Sequence, residues 1–163
     1  MLDETLKGPL AAYLERVSQP FELVASLDDS DTSRDMRALL ETIQGLRSDK
    51  ISLRLDGNDA RKPSFSLQRV GTDTSLRFAG LPLGHEFTSL VQTLALMAIF
   101  NPKVKTTVIE GGAFQQEVTE REIMAVPMVF LNGTMFGSGR MLVEEILAKI
   151  DTGAAAKDAA KLS

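Results

Sequence analysis

Asp28, Asp29 and Asp31 stand almost side by side, and clustered carboxylates are the residue type that could hold Mg²⁺ or Ca²⁺ through hard oxygen ligands. The run lacks the spaced ligands of an EF-hand loop. It leads into a helical pattern, so it reads as a loop that caps a helix, with Thr32 and Asp35 at capping-box-like spacing. Gly137-Ser138-Gly139 is too short for a dinucleotide fingerprint and follows a hairpin strand. His85 is the single histidine. A general base needs a positioned partner and a substrate, and none is identifiable, so His85 reads as a capping or surface residue. Glu86 falls in the first turn of the same predicted helix, where a carboxylate complements the positive helix end by about 0.3–1 kcal/mol.

Cysteine is absent from all 163 residues. Thiolates are the nucleophiles of disulfide exchange and the soft ligands of zinc. This chain alone therefore performs no thiol chemistry, and one histidine gives little support to a zinc site or a Ser-His relay. Net charge is −4, and no basic stripe is present, which argues against nucleic acid as a partner. The start, M-L-D-E-T-L-K, lacks the apolar core of a secretory signal. The run Leu94–Phe100 is too short to cross a bilayer. A cytoplasmic location is expected.

The elements that must position any site follow from periodicity. Leu6, Leu10, Tyr13, Leu14 and Val17 have helical spacing, closed by Ser18-Gln19-Pro20. Phe21, Leu23, Ala25 and Leu27 alternate as a strand. Met36, Leu39, Leu40 and Ile43 form a helical stripe that ends near Gly45. Ile51, Leu53 and Leu55 alternate in a second strand. Lys62–Leu67 is a third with Pro63 at its start, where the missing N–H is tolerated. Leu76 and Phe78 mark a fourth. From His85 a helix is predicted, apolar on every side by Leu94 and stopped at Asn101-Pro102.

The later part of this order then recurs. Val104, Thr106 and Val108 alternate, and Phe114–Arg121 is a short helix. Val126–Leu131 is a strand opened by Pro127, Asn132-Gly133 signals a hairpin, and Met135-Phe136 return. Leu142, Ile146, Leu147 and Ile150 face a closing helix. Met97, Met124, Met128 and Met135 read as adaptable core filling. Pro63, hairpin, Gly84, helix thus matches Pro127, hairpin, Gly139, helix. The second unit has no identifiable opening strand. A parallel βαβ unit needs roughly thirty residues, and one helix's worth of chain separates Gly84 from Pro102.

Strand, helix, strand, Pro-led hairpin and helix resembles the thioredoxin-fold order, in which that proline is cis. Pro63 and Pro127 are the candidates. G-L-P-L-G-H-E-F-T-S-L-V (80–91), R-K-P-S-F (61–65), I-M-A-V-P-M-V-F-L-N-G (123–133), F-G-S-G-R-M (136–141) and A-K-I-D-T-G-A (148–154) resemble the N-terminal domain of the alkyl hydroperoxide reductase flavoprotein subunit, AhpF. The resemblance implies two fused thioredoxin-like folds, the second with a Cys-x-x-Cys pair that passes electrons from FAD and NAD(P)H domains to the peroxiredoxin AhpC. It also implies a long insert between segments like Thr88–Val91 and Leu94–Met97, holding the opening strand and the dithiol. Here one segment runs directly into the other.

The resulting expectation is an α/β chain of tandem thioredoxin-like folds, the second incomplete because it lacks its first strand. Residues 1–90 form the first unit, 91–152 the partial second and 153–163 a linker-like tail. No catalytic residue, metal or cofactor is expected in this chain, since FAD and NAD(P)H belong to family domains that follow Ala154. Glu86 gains a second reading, as an acidic group near a vestigial redox site. AhpC, a flavoprotein reductase domain or a second copy covering exposed strand edges are the expected partners. The function is either the family's disulfide reduction, for which this chain lacks the cysteines, or a non-catalytic docking module. A sequence from which the active segment has been removed is a third reading.

Overall fold

Seven strands and three helices are defined in the computed structural model, which describes residues 14–15, 19–72, 76–81, 103–139, 141 and 143–150. In chain order they are β1 (Phe21–Ser26), α1 (Asp31–Leu46), β2 (Ile51–Arg54), β3 (Ser64–Arg69), β4 (Leu76–Ala79), β5 (Thr106–Ile109), α2 (Gln115–Glu120), β6 (Met128–Leu131), β7 (Thr134–Ser138) and α3 (Val143–Ile150). The expected helices at the N-terminus and from His85 onward, the Leu94–Phe100 stretch and the tail lie outside the described residues.

β1 sits at the centre of the first unit. It pairs in parallel with β2 and antiparallel with β3, and β3 pairs antiparallel with β4. Directly opposed residues share a sheet face. Leu53, Leu23, Leu67 and Leu76 therefore form one row across four strands, and Ala25, Phe65 and Phe78 the next. Phe65 and Phe78 stack with centroids 5.2 Å apart. Onto this face α1 lays Met36 and Leu40, both fully buried, at the i, i+4 spacing of one helical stripe.

The opposite face carries Ser26, Ser64 and Ser66, all buried and small. The 55–60 loop closes over part of it. Gly57 N–H donates to the Ala25 carbonyl at 2.9 Å, Asp59 N–H to Ser26 Oγ at 3.0 Å, and the Asp59 carboxylate pairs with Arg77 of β4 at 2.8 Å.

Three expectations need correction. The cap of α1 is Ser30, whose side chain accepts from the Ser33 N–H; Thr32 and Asp35 lie inside the helix, so their spacing does not mark its start. Met124 and Met135 are exposed, at 91% and 59%. Met124 precedes the β6–β7 hairpin and Met135 lies on β7 within it, and at these exposures neither fills a core. Leu55 falls just beyond β2 and is also exposed.

β5 lies within the later repeat in sequence, yet it pairs in parallel with β4 and extends the first sheet to the order β2-β1-β3-β4-β5. β6 and β7 form a separate two-stranded sheet. Their turn is Asn132-Gly133, with φ of 52° and 84°. Both central residues are left-handed, as a hairpin turn matched to strand twist requires.

Candidate functional site: two proline corners

The repeat is also geometric, with Gly80 as the counterpart of Gly139; Gly84, which the sequence matches to it, lies outside the described residues. Lys62–Pro63 and Val126–Pro127 are both cis. Each proline stands just before the first strand of a hairpin, and its carbonyl accepts from a glycine beyond the second strand: Gly80 N–H at 2.9 Å for Pro63, and Gly139 N–H at 2.8 Å for Pro127. Both glycines have positive φ, 88° and 74°, a region costly for other residues.

At the Pro63 corner the facing loop is Leu27–Ser30. Asp28 accepts from Ser30 N–H at 3.1 Å, from Ser33 Oγ at 2.6 Å and from Ser30 Oγ. These hydrogen bonds, that from Ser30 Oγ first, hold its carboxyl down at about 2, because each favours the ionised form. Asp28 is thus a capping acceptor that takes all three of these bonds on Oδ1. No group of three or more His, Cys, Asp or Glu side chains among the described residues could hold a metal ion.

The second unit reaches this corner through α2. Glu117 receives a bidentate pair from Arg61, Nε and one terminal nitrogen each at 2.8 Å, and a third bond from Arg121 Nε at 3.0 Å. Arg61 leads, with side-chain hydrogen bonding first, in pulling the Glu117 carboxyl below its usual range. Between corner and helix opens a cleft of about 560 Å³, lined by Asp28, Arg61, Lys62, Phe114, Glu117 and Arg121. Arg121 also lies over the Phe130 ring at 4.9 Å, joining the latch to β6.

Sequence reasoning missed this latch. Its partners are 56 positions apart and belong to no local pattern. Bonds from a charged donor to a carboxylate contribute about 1.5–3 kcal/mol each when partly shielded. Glu117→Gln is therefore expected to lower stability by about 2 kcal/mol, read from the denaturant midpoint. The pH sign follows from the lowered carboxyl. The latch's contribution is present above the ordinary glutamate range and is lost as pH falls through the depressed folded value. The wild-type and Glu117→Gln stability curves should converge in acid. Curves that remain parallel down to about pH 2 would rule out an electrostatic latch.

At the Pro127 corner the surroundings differ. Met124 and Val126 are exposed, at 91% and 58%. Glu122, at φ 53°, turns the chain out of α2, and Ile123 N–H closes that turn on the Val118 carbonyl at 3.0 Å. Glu86 and His85 lie outside the described residues. Gly137 lies under the Met141 side chain, whose sulfur would stand 2.8 Å from a Cβ there; its place is one of packing within the hairpin.

Comparison with known proteins decides the relationship. A thioredoxin-domain family profile matches residues 86–152. The alkyl hydroperoxide reductase AhpF of Pseudomonas aeruginosa is 51% identical over 208 residues, covering 100% of this chain and 40% of that protein. AhpF of Escherichia coli K12 is 41% identical over 209 residues, with the same coverage. The chain belongs to the AhpF N-terminal-domain family. It spans about 40% of the length of these curated relatives. The aligned stretch of 208 positions exceeds the 163 residues here by about 45, so the Pseudomonas AhpF carries about that many positions in this region without counterpart in this chain. Among solved structures, the N-terminal domain of Enterococcus faecalis AhpF aligns with a TM-score of 0.73 at 20% identity, covering 91% of this chain and 99% of that one. A protein disulfide oxidoreductase from Aeropyrum pernix gives 0.73 at 17%, covering 96% of each. These two likenesses show the thioredoxin-like fold. No helix among the described residues is long and apolar enough to cross a membrane.

Proposed function

We propose that this chain is a redox-inactive docking module of the alkyl hydroperoxide reductase system. The family role is peroxide detoxification, in which the AhpF N-terminal domain passes electrons as a dithiol to the disulfide of the peroxiredoxin AhpC. That transfer proceeds through a mixed disulfide, and a chain without cysteine forms none. FAD and NAD(P)H act in the family's other domains and not on these residues.

One observation carries the docking part. The corner at Pro127, which in the family shapes the surface that meets a substrate disulfide, keeps its backbone pattern here and presents Val126 and Met124 to solvent. Exposed apolar side chains beside a structured backbone corner suit a protein partner. AhpC is the partner this reading names. Catalysis by the flavin and nucleotide domains would bypass this chain.

The test of redox inactivity is direct. Purified chain is added to dithiothreitol and a protein disulfide substrate, and reduction is followed. The expected rate equals that of dithiothreitol alone. Dithiol-dependent reduction that rises with chain concentration would end this reading.

A further inference from the structure

The described methionines divide sharply by exposure. Met36 is fully buried in the core. Met141 packs over Gly137, and Met128 opens β6 half-buried. Met124 is 91% exposed, and Met135 is the next most exposed. The backbone that carries Met124 is fixed on both sides. Ile123 N–H donates to the Val118 carbonyl at 3.0 Å, and the Pro127 carbonyl accepts from Gly139 N–H at 2.8 Å. The Met124 thioether therefore stands in water on an ordered corner, next to exposed Val126 and just before cis Pro127. Without cysteine, thioethers are the only sulfur in this chain that a two-electron oxidant can reach.

We propose that Met124 is a hydroperoxide-oxidised site that switches the Pro127 corner from apolar to polar. The sulfur lone pair attacks the terminal oxygen of ROOH. An S–O bond forms as the O–O bond breaks, and the proton on that oxygen passes to the departing alkoxide, giving ROH. Sulfur gives up two electrons and the peroxide takes them, so no further reactant is needed. The sulfoxide places a strong hydrogen-bond acceptor where a flexible apolar chain stood. Its hydration must be stripped before an apolar partner surface closes on it. Because the flanking backbone is held by its own hydrogen bonds, the change needs no unfolding and leaves the core around Met36 intact. The consequence for a partner rests on the docking role proposed above: rising peroxide releases the partner from this corner, and enzymatic reduction of the sulfoxide restores it.

The full chain is treated with tert-butyl hydroperoxide and sampled over time, for peptide mapping by mass spectrometry and for retention on a hydrophobic-interaction column. Met124 sulfoxide is expected to form at least tenfold faster than Met36 sulfoxide, and ahead of Met135. Retention should fall in step with Met124 oxidation. Met124→Leu, which keeps the apolar bulk, should lose most of that fall. Affinity for AhpC, measured on the same samples, should drop at least threefold in wild type and hold in Met124→Leu. The proposal is overturned if Met36 or Met135 oxidises as fast as Met124, or if Met124→Leu loses retention as wild type does. It is equally overturned if oxidised wild type binds AhpC as tightly as the untreated chain. Absence of AhpC binding before oxidation would count against the docking role alone, because mapping and retention decide the oxidation site without it.

Discussion

Leu40→Ala is expected to cost about 3 kcal/mol, within the range of buried leucine truncations. Leu40 is fully buried with Met36, Leu23, Ala25, Ile51 and Phe65, so the lost methyl groups leave a cavity that sheet and helix cannot both close. Domains of this size are stable by only about 5–15 kcal/mol, so this is a large fraction of the total. Met124→Ala, at a side chain 91% exposed, should change stability by less than about 0.5 kcal/mol. Denaturant midpoints of the two variants measure the contrast. Equal losses would mean that the first unit is not the stabilising core.

Gly57→Ala is expected to cost a similar amount, about 3 kcal/mol, for the opposite reason: overpacking of this kind typically costs about 1–3 kcal/mol. A Cβ there would stand 2.5 Å from Ser26 Oγ, 2.6 Å from the Ala25 carbonyl oxygen and 2.8 Å from its carbon. Two of those three atoms are backbone, so a rotamer change relieves only one contact. The same loop donates the Gly57 N–H to Ala25, and displacing it loosens the cover over Ser26. Adding Ser26→Ala should not restore stability, because the backbone clash remains. Full recovery in the double variant would place the strain in the serine side chain instead.

Much of this architecture is legible in the residues. Alternation at Phe21, Leu23 and Ala25 and the stripe Met36, Leu40, Ile43 each report one buried face, and both elements form where the pattern puts them. Asn132-Gly133 is explicit because so few residues accept two positive φ values in succession. Pro63 and Pro127 sit at the starts of β3 and β6, where a missing N–H breaks no ladder. The capping residue is ambiguous in sequence because Ser30, Thr32 and Asp35 are all competent and only the chain's entry angle chooses among them. Met124 and Met135 mislead because apolar character implies burial only if a covering layer exists, and that layer is set by distant chain. The pairing of β5 with β4 and the Arg61–Glu117 latch are hidden for the same reason. A strand's pattern gives its faces and not its neighbour, and an ion pair across 56 positions leaves no periodic trace.

The docking role is tested most directly by calorimetric titration of the full chain with AhpC. The expected result is saturable, non-covalent binding that dithiothreitol does not abolish and that Val126→Asp weakens at least tenfold, by placing a charge on the exposed apolar surface beside Pro127. No saturable binding, or binding that Val126→Asp leaves unchanged, would contradict it.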